Sequence, residues 1–387
     1  MNQPNYTTLM AHIADISDVR STRGRRHEWT FLLTILCAAL LSGKKSVRGM
    51  AQWAYHHRHE ILDTLQPERR FVPSASTLYR TLRDIDVNEL ENRLSNYSNA
   101  VDADDRVTGA VNSPQQSQLR GQSVDGKEVR GAGKQGAPLT LVSLVRHESA
   151  AVLDQRAVDQ KTNEITVVPE LLGDRDLTGT VTTMDALLTQ REIAQQILDQ
   201  NGDYLMVVKR NQPSLYEAIE LLFASPPIPA SDDEYLSYSY VDPGHGRIDR
   251  RTLESSTALN GYLHWPGVAQ VMRRTRRSLE VKTGVISENV TYAITSLNRN
   301  QALPKQLETA WRAHWTIENN LHYVRDVSMD EDRSTLRSGN APHTMAALRN
   351  AILTLLRYEG WPNIPDAFRF FEASVQHSLR IIGALET

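Results

Sequence analysis

Apolar positions in the first hundred residues recur at intervals of three and four. Met10 to Ile16, Trp29 to Leu41, Ser46 to Leu65 and Ser76 to Ser95 all carry this spacing, which predicts helices. Ser74, after Pro73, is placed to cap the last of them. The Trp29–Leu41 run is apolar on all sides and reads as a buried helix. Its 13 residues fall short of the roughly 20 needed to cross a bilayer. It also lacks the placement and cleavage pattern of a secretory leader.

Periodicity fades over residues 105–122, where Gln, Ser, Gly and Pro gather into a linker. Beyond it the period falls to two. Strands are predicted at Ser123 to Lys127, Leu139 to Val145 and from Val152. A helix follows at Asn163 to Leu172, a strand at Thr180 to Asp185, a helix at Gln190 to Gln200 and a strand at Asp203 to Lys209. Three strands, helix, strand, helix, strand is the order of a ribonuclease-H-like α/β domain, with a mixed sheet and helices on both faces. Residues 236–300 are strand-rich, with turns at Pro243 to Gly246 and Lys282 to Gly284, and read as a β insertion. Helices resume at Gln301 to Asp326 and His343 to Tyr358. The resulting division is an N-terminal helical region (1–104), a linker (105–122), the first part of the α/β domain (123–235), the β insertion (236–300) and C-terminal helices (301–387).

At 387 residues the chain is long for one hydrophobic core. Its 40% hydrophobic and 23% charged residues are ordinary for a globular protein. The single cysteine, Cys37, excludes an internal disulfide and a cysteine-based zinc site, and fits a cytoplasmic location. The net charge of −3 argues against a uniformly basic nucleic-acid binder. The charge is uneven, however. Arg20, Arg23, Arg25 and Arg26 form one cluster and Arg273, Arg274, Arg276 and Arg277 another, and local clusters attract phosphate where the global balance does not.

Asp125 ends the first apolar strand and Asp185 the fourth. These two strands are neighbours in the predicted order, so carboxylates 60 positions apart meet at one sheet edge, where open α/β sheets place their sites. Turn formation is the plainer use of such residues. Helical spacing puts Trp311, His314, Glu318, His322 and Arg325 on one face. Three carboxylates suit Mg²⁺ or Mn²⁺, and two such ions about 4 Å apart stabilise both oxygens of an in-line phosphoryl displacement. The spacing of His314, Glu318 and His322 also leaves zinc open. His56, His57 and His59 share no ligand face and read as surface residues. Lys127, Lys209, Arg247, His314 and Arg325 are candidate DNA contacts through phosphates. Glu164 is either a helper at the metal or a surface residue at a helix start.

These motifs resemble those of the bacterial H-repeat-associated insertion-sequence transposases. The likeness extends to Arg20 to His27, Lys161 to Ile165, Lys209 to Gln212, Gly244 to Arg247, Asp326-Val327 with Glu331-Asp332, and Gly339 to Pro342. It implies a ribonuclease-H-like domain interrupted by a β insertion, and a DDE triad of Asp125, Asp185 and Glu318 with Mg²⁺ as cofactor. It also implies cleavage and joining of DNA at transposon ends by a homodimer or larger assembly. The wider superfamily carries Tyr-x2-Arg-x3-Glu-x6-Lys around the third acid. Trp311, His314, Glu318 and Arg325 stand there in this chain, and only the glutamate is identical. Two other readings stay open: a nuclease of the same fold that cuts without joining, and a domesticated transposase that only binds DNA.

Overall fold

Twelve of the thirteen residues of Trp29–Leu41 are buried, so the most apolar segment of the chain forms an internal helix, as its pattern predicts. In this computed structural model, residues 8–23, 25–103, 119–132, 139–159, 162–228, 234–244 and 246–385 are described. Lys161, His245 and most of the 105–122 linker lie outside them. The chain divides into two compact units. One comprises Met1–Gln116, Gly126–Val167 and Thr316–Thr387; the other comprises Ser117–Asp125 and Val168–Trp315.

The first unit begins with α1 (Leu9–Ile13), α2 (Trp29–Leu41), α3 (Val47–His56), α4 (Arg58–Leu65), α5 (Ala75–Asp84) and α6 (Val87–Asp102). The predicted Ser46–Leu65 helix parts at His57. The predicted Ser76–Ser95 helix parts at Ile85, because the Asp86 carboxylate accepts the N–H groups of Asn88 and Glu89 and so starts a new helix. Ser74 caps α5 through the N–H of Thr77. Strands β2 (Thr140–Arg146) and β3 (Val152–Ala157), an antiparallel pair, belong to the same unit.

Nine strands are hydrogen-bonded in the order β3-β2-β1-β4-β5-β9-β8-β7-β6. In the second unit, β1 (Arg120–Glu128, which runs on into the first unit) pairs in parallel with β4 (Thr180–Met184), and β4 in parallel with β5 (Asp203–Val208). The β insertion is an antiparallel meander of β6 (Tyr235–Gly244), β7 (Arg247–Ser256), β8 (Gln270–Glu280) and β9 (Ile286–Thr295), and β9 returns to pair with β5. The helices of this unit are α7 (Val168–Leu172), α8 (Arg191–Asp199), α9 (Pro213–Ala224) and α10 (Pro304–Ala313). Helix α9, opened by Pro213, was not anticipated from the pattern. The architecture is a mixed α/β, ribonuclease-H-like fold with a β insertion and helices at both chain ends.

The first unit closes with α11 (Ala341–Tyr358), α12 (Ile364–Glu372) and α13 (Val375–Ile381). Sixteen of the eighteen residues of α11 are buried, and most of its apolar ones pack with α2 in one cluster. That core also holds charge. Glu331 bonds Arg325 Nε at 2.9 Å and Arg349 at 2.9 Å, and all three side chains are sealed from solvent. No helix among the described residues is long and apolar enough to cross a membrane.

Candidate active site at the ends of two parallel strands

The register of β1 on β4 aligns Ser123 with Thr183 and Val124 with Met184. The next residues are Asp125 and Asp185, so the two acids lie side by side where the pairing of the strands stops. Asp185 directly follows β4, but Asp125 does not end its strand as expected, because β1 runs on to Glu128. Val124 and Met184 are fully buried, which fixes the register by burying one apolar side chain from each strand. Ser123 and Thr183 form the polar layer beneath the acids. Their hydroxyls are 3.1 Å apart. The Ser123 hydroxyl also donates to the backbone oxygen of His314 at 3.3 Å, and His314 Nδ1 bonds the Thr183 hydroxyl at 3.0 Å. His314 is the C-cap of α10, so that helix end is fastened directly below the aspartates. Burial lowers the His314 pKa, and the opposing pull of the Asp185 charge and the Thr183 bond does not reverse this. Through its Nδ1 bond the ring braces β4 against the end of α10.

Asp185 is held by its own loop. Its Oδ1 accepts the N–H groups of Leu187 at 3.0 Å and Leu188 at 3.2 Å. Thr189 donates to the backbone oxygens of both Asp185 and Val207, at 3.0 and 2.6 Å. Asn211 and Gln212 reach the same loop from the end of β5, bonding the oxygens of Ala186 at 2.6 Å and Thr189 at 2.9 Å. Reading the residues one by one did not reveal this supporting role, although Lys209 to Gln212 stood out as a motif. Lys209 itself is exposed beside this loop.

In the other unit, Glu318 is exposed on a π-helical stretch, Ile317–His322, and a second such stretch covers Val324–Ser328. A π-helix has a longer period than an α-helix, so the single face predicted for Trp311 to Arg325 does not form. Trp311 and Arg325 are buried while Glu318 is exposed. Arg325 as a DNA contact is thereby corrected: its guanidinium has no solvent exposure and is bound by Glu331. Lys127 is bound to Asp326 at 2.6 Å with its side chain 10% exposed, so any phosphate would have to displace that carboxylate. Burial raises the Asp326 pKa, against the pull of Lys127. The Glu164 carboxylate occupies the place where a side chain at Gly126, the residue after Asp125, would begin. Among the described residues, no three His, Cys, Asp or Glu side chains stand at metal-ligating spacing.

The insertion arginines divide by partner. Arg273 binds Glu254 at 2.6 Å, Arg274 binds Glu308 at 2.9 Å and Arg276 binds Asp249 at 2.7 Å. Arg277 is exposed and lies directly opposite the exposed Arg250 on β7. On its other side Arg277 stands opposite the exposed Glu288 of β9, so it sits between a like and an opposite charge. Arg247 is exposed at the start of β7.

The family model described as Transposase DDE domain matches residues 116–355, and the one described as DDE_Tnp_1-associated matches residues 10–98. The chain is 30% identical over 359 residues to the YncI protein of Escherichia coli O157:H7, covering 90% of this chain and 87% of that one. It is 29% identical over 358 residues to the H repeat-associated YhhI protein of Escherichia coli strain K12, covering 90% of each. Both relatives bear transposase names. With two acids side by side where β1 and β4 cease to pair and a family match over more than half its length, the chain belongs to the DDE transposases.

Proposed function

We propose that this transposase cuts DNA strands at the ends of a mobile element and joins them to target DNA in a metal-dependent reaction, with Asp125, Asp185 and Glu318 as its acidic triad. The observation that carries the reading is the β1–β4 register, which sets two carboxylates from distant parts of the chain next to each other. Glu318 is assigned on its motif. The alternative at this sheet edge, two turn-forming aspartates, accounts for the Asp185 loop bonds but not for a matching acid on the neighbouring strand.

The donor set fits a hard cation. Carboxylate oxygens are what Mg²⁺ or Mn²⁺ prefers, and both loop bonds to Asp185 fall on Oδ1. Bound there, such an ion would neutralise phosphate charge and activate the attacking oxygen. The protein's own contribution is orientation. Thr189, Asn211 and Gln212 fix the loop that aims Asp185, and the Ser123–Thr183–His314 layer fixes the strand ends. Lys209, Arg247 and Arg277 meet DNA phosphates, so affinity falls steeply with salt. We place the reaction in the cytoplasm, on two element ends held by a dimer or larger assembly.

The test is purified protein with duplex DNA bearing the element's terminal sequence and Mg²⁺, scored for nicked and joined products. Both products are expected from the wild type and neither from Asp125→Asn or Glu318→Gln. Full cleavage by either variant would sink the triad. Cleavage with no joining would make the protein a nuclease.

A further inference from the structure

We infer that Lys127 and Asp326 are positioning residues, a clamp that ties the chain just after Asp125 to the helix that carries Glu318. The inference rests on the acidic triad proposed above, since it names what holds the third acid in place.

Both members of the clamp, and Glu318 itself, belong to the first unit. The Lys127 ammonium donates to Asp326 Oδ2 at 2.6 Å. The lysine side chain is 10% exposed and the aspartate side chain 28%, so salt and water screen this pair much less than one on the surface. Lys127 stands two residues beyond Asp125 on β1, and in a strand two positions return to the same face. Asp326 stands eight residues beyond Glu318, about two turns along the π-helical stretches. One charge pair therefore links near neighbours of two of the proposed acids. A lysine placed for phosphate would point its ammonium at solvent, and this one is turned into the protein.

The strand is longer than its pairing with β4. That pairing stops at Val124, yet β1 runs on to Glu128, and the extension carries the ammonium to the helix. Both segments are anchored beside the pair. Val129 and Ala132 pack with Leu141 and Ala346 in a small apolar cluster. A Cβ on Gly131 would lie 2.8 Å from the backbone oxygen of Ser334, so the chain after β1 and the chain after the helix approach closely. Arg130 and Asp332 add a second pair at 3.3 Å, but Arg130 is 74% exposed and such a pair contributes little. On the helix, Ile317, Leu321 and Val324 are buried in the apolar core, and Arg325 is bound by Glu331. With both segments anchored, the ion pair sets their register, and so the placement of Glu318. A reacting group displaced by about 1 Å costs up to roughly a hundredfold in rate, so the clamp acts on cleavage and not on the hold on DNA.

The test uses the full-length chain, Mg²⁺ and duplex bearing the element's terminal sequence, with two readouts. Single-turnover cleavage at saturating duplex should slow at least about tenfold in Lys127→Met and in Asp326→Asn. Duplex affinity should stay unchanged, and Lys127→Arg, which keeps the cation, should recover most of the rate. Hydrogen exchange, which needs no activity, should show the amides of residues 317–328 opening roughly tenfold faster in Lys127→Met, with those of α2 unchanged. Unchanged exchange over 317–328 overturns the clamp. So does equal acceleration in α2, which marks a loss of overall stability. Weaker duplex binding with wild-type cleavage at saturation, the behaviour of a phosphate contact, overturns it as well. Glu318→Gln, run alongside, separates the two readings: full cleavage by that variant removes the triad and the positioning role with it, while faster exchange still locates the clamp.

Discussion

His314 Nδ1 stands 3.0 Å from the Thr183 hydroxyl, two residues before Asp185 on the adjoining strand end. The bond ties the C-cap of α10 to β4. Thr183→Val keeps the shape of the side chain and deletes the hydroxyl, leaving a buried ring nitrogen without its partner. Such a group costs about 1–3 kcal/mol. Urea denaturation should show a loss of that size, and cleavage should fall more than DNA affinity. A His314 that served only to touch DNA would give the reverse, with weakened binding and unchanged stability.

Asp185 could be read as a strand-end residue because it directly follows the strand pattern of Thr180–Met184, whereas β1 runs three residues beyond Asp125, to Glu128, so only the pairing with β4 stops at that acid. The face of Glu318 could not be read. The prediction used the α-helical period, and the chain turns π-helical at Ile317, which moves every later side chain around the axis. The insertion arginines were ambiguous for another reason. Glu254, Glu308 and Asp249 lie 19 to 34 residues from the arginines they bind, and only strand register and packing bring them together. The break at Ile85 depended on a single cap, Asp86, whose bonds to Asn88 and Glu89 outweigh a continuous apolar pattern.

The insertion arginines should therefore separate in experiment. Arg277→Ala removes an exposed cation and should leave the unfolding midpoint alone, while reducing the slope of log affinity against log salt by about one. Arg274→Ala strips the buried Glu308 of its cation and should cost roughly 3 kcal/mol of stability. Its DNA affinity per folded molecule should stay unchanged. Salt-dependent binding and denaturation, run on both variants, make the check. Equal salt slopes for Arg277→Ala and wild type would remove Arg277 from the DNA surface.

Gly126 follows Asp125, and the Glu164 carboxylate sits where its side chain would begin. Gly126→Ala should push that carboxylate aside. If Glu164 helps set the position of Asp125, cleavage should fall at least about tenfold, a positioning loss. Glu164→Ala should fall by a similar factor, and the double variant no further, because both changes remove one arrangement. Losses that multiply in the double variant would show that Gly126 matters for its backbone alone.

Glu331 is the counter-charge for two buried guanidinium groups. Burial alone would raise its pKa, but Arg325 and Arg349 hold it below the usual carboxylate range. A depressed folded pKa stabilises the protein above the unfolded value, near 4.3 for Glu. That contribution is lost as pH falls through the lower, folded value. Glu331→Gln should thus cost about 3–5 kcal/mol at pH 7, since it leaves two cations buried without an anion. The deficit relative to wild type should begin to narrow as pH falls below the unfolded value and close as pH falls through the lower, folded one. Replacing all three residues with apolar side chains of similar volume should recover much of the loss, because the cost lies in unmatched charge and not in missing contacts. Denaturation of the wild type, the single variant and the triple variant between pH 3 and 7 tests this, and a single variant as stable as wild type at pH 7 would refute it.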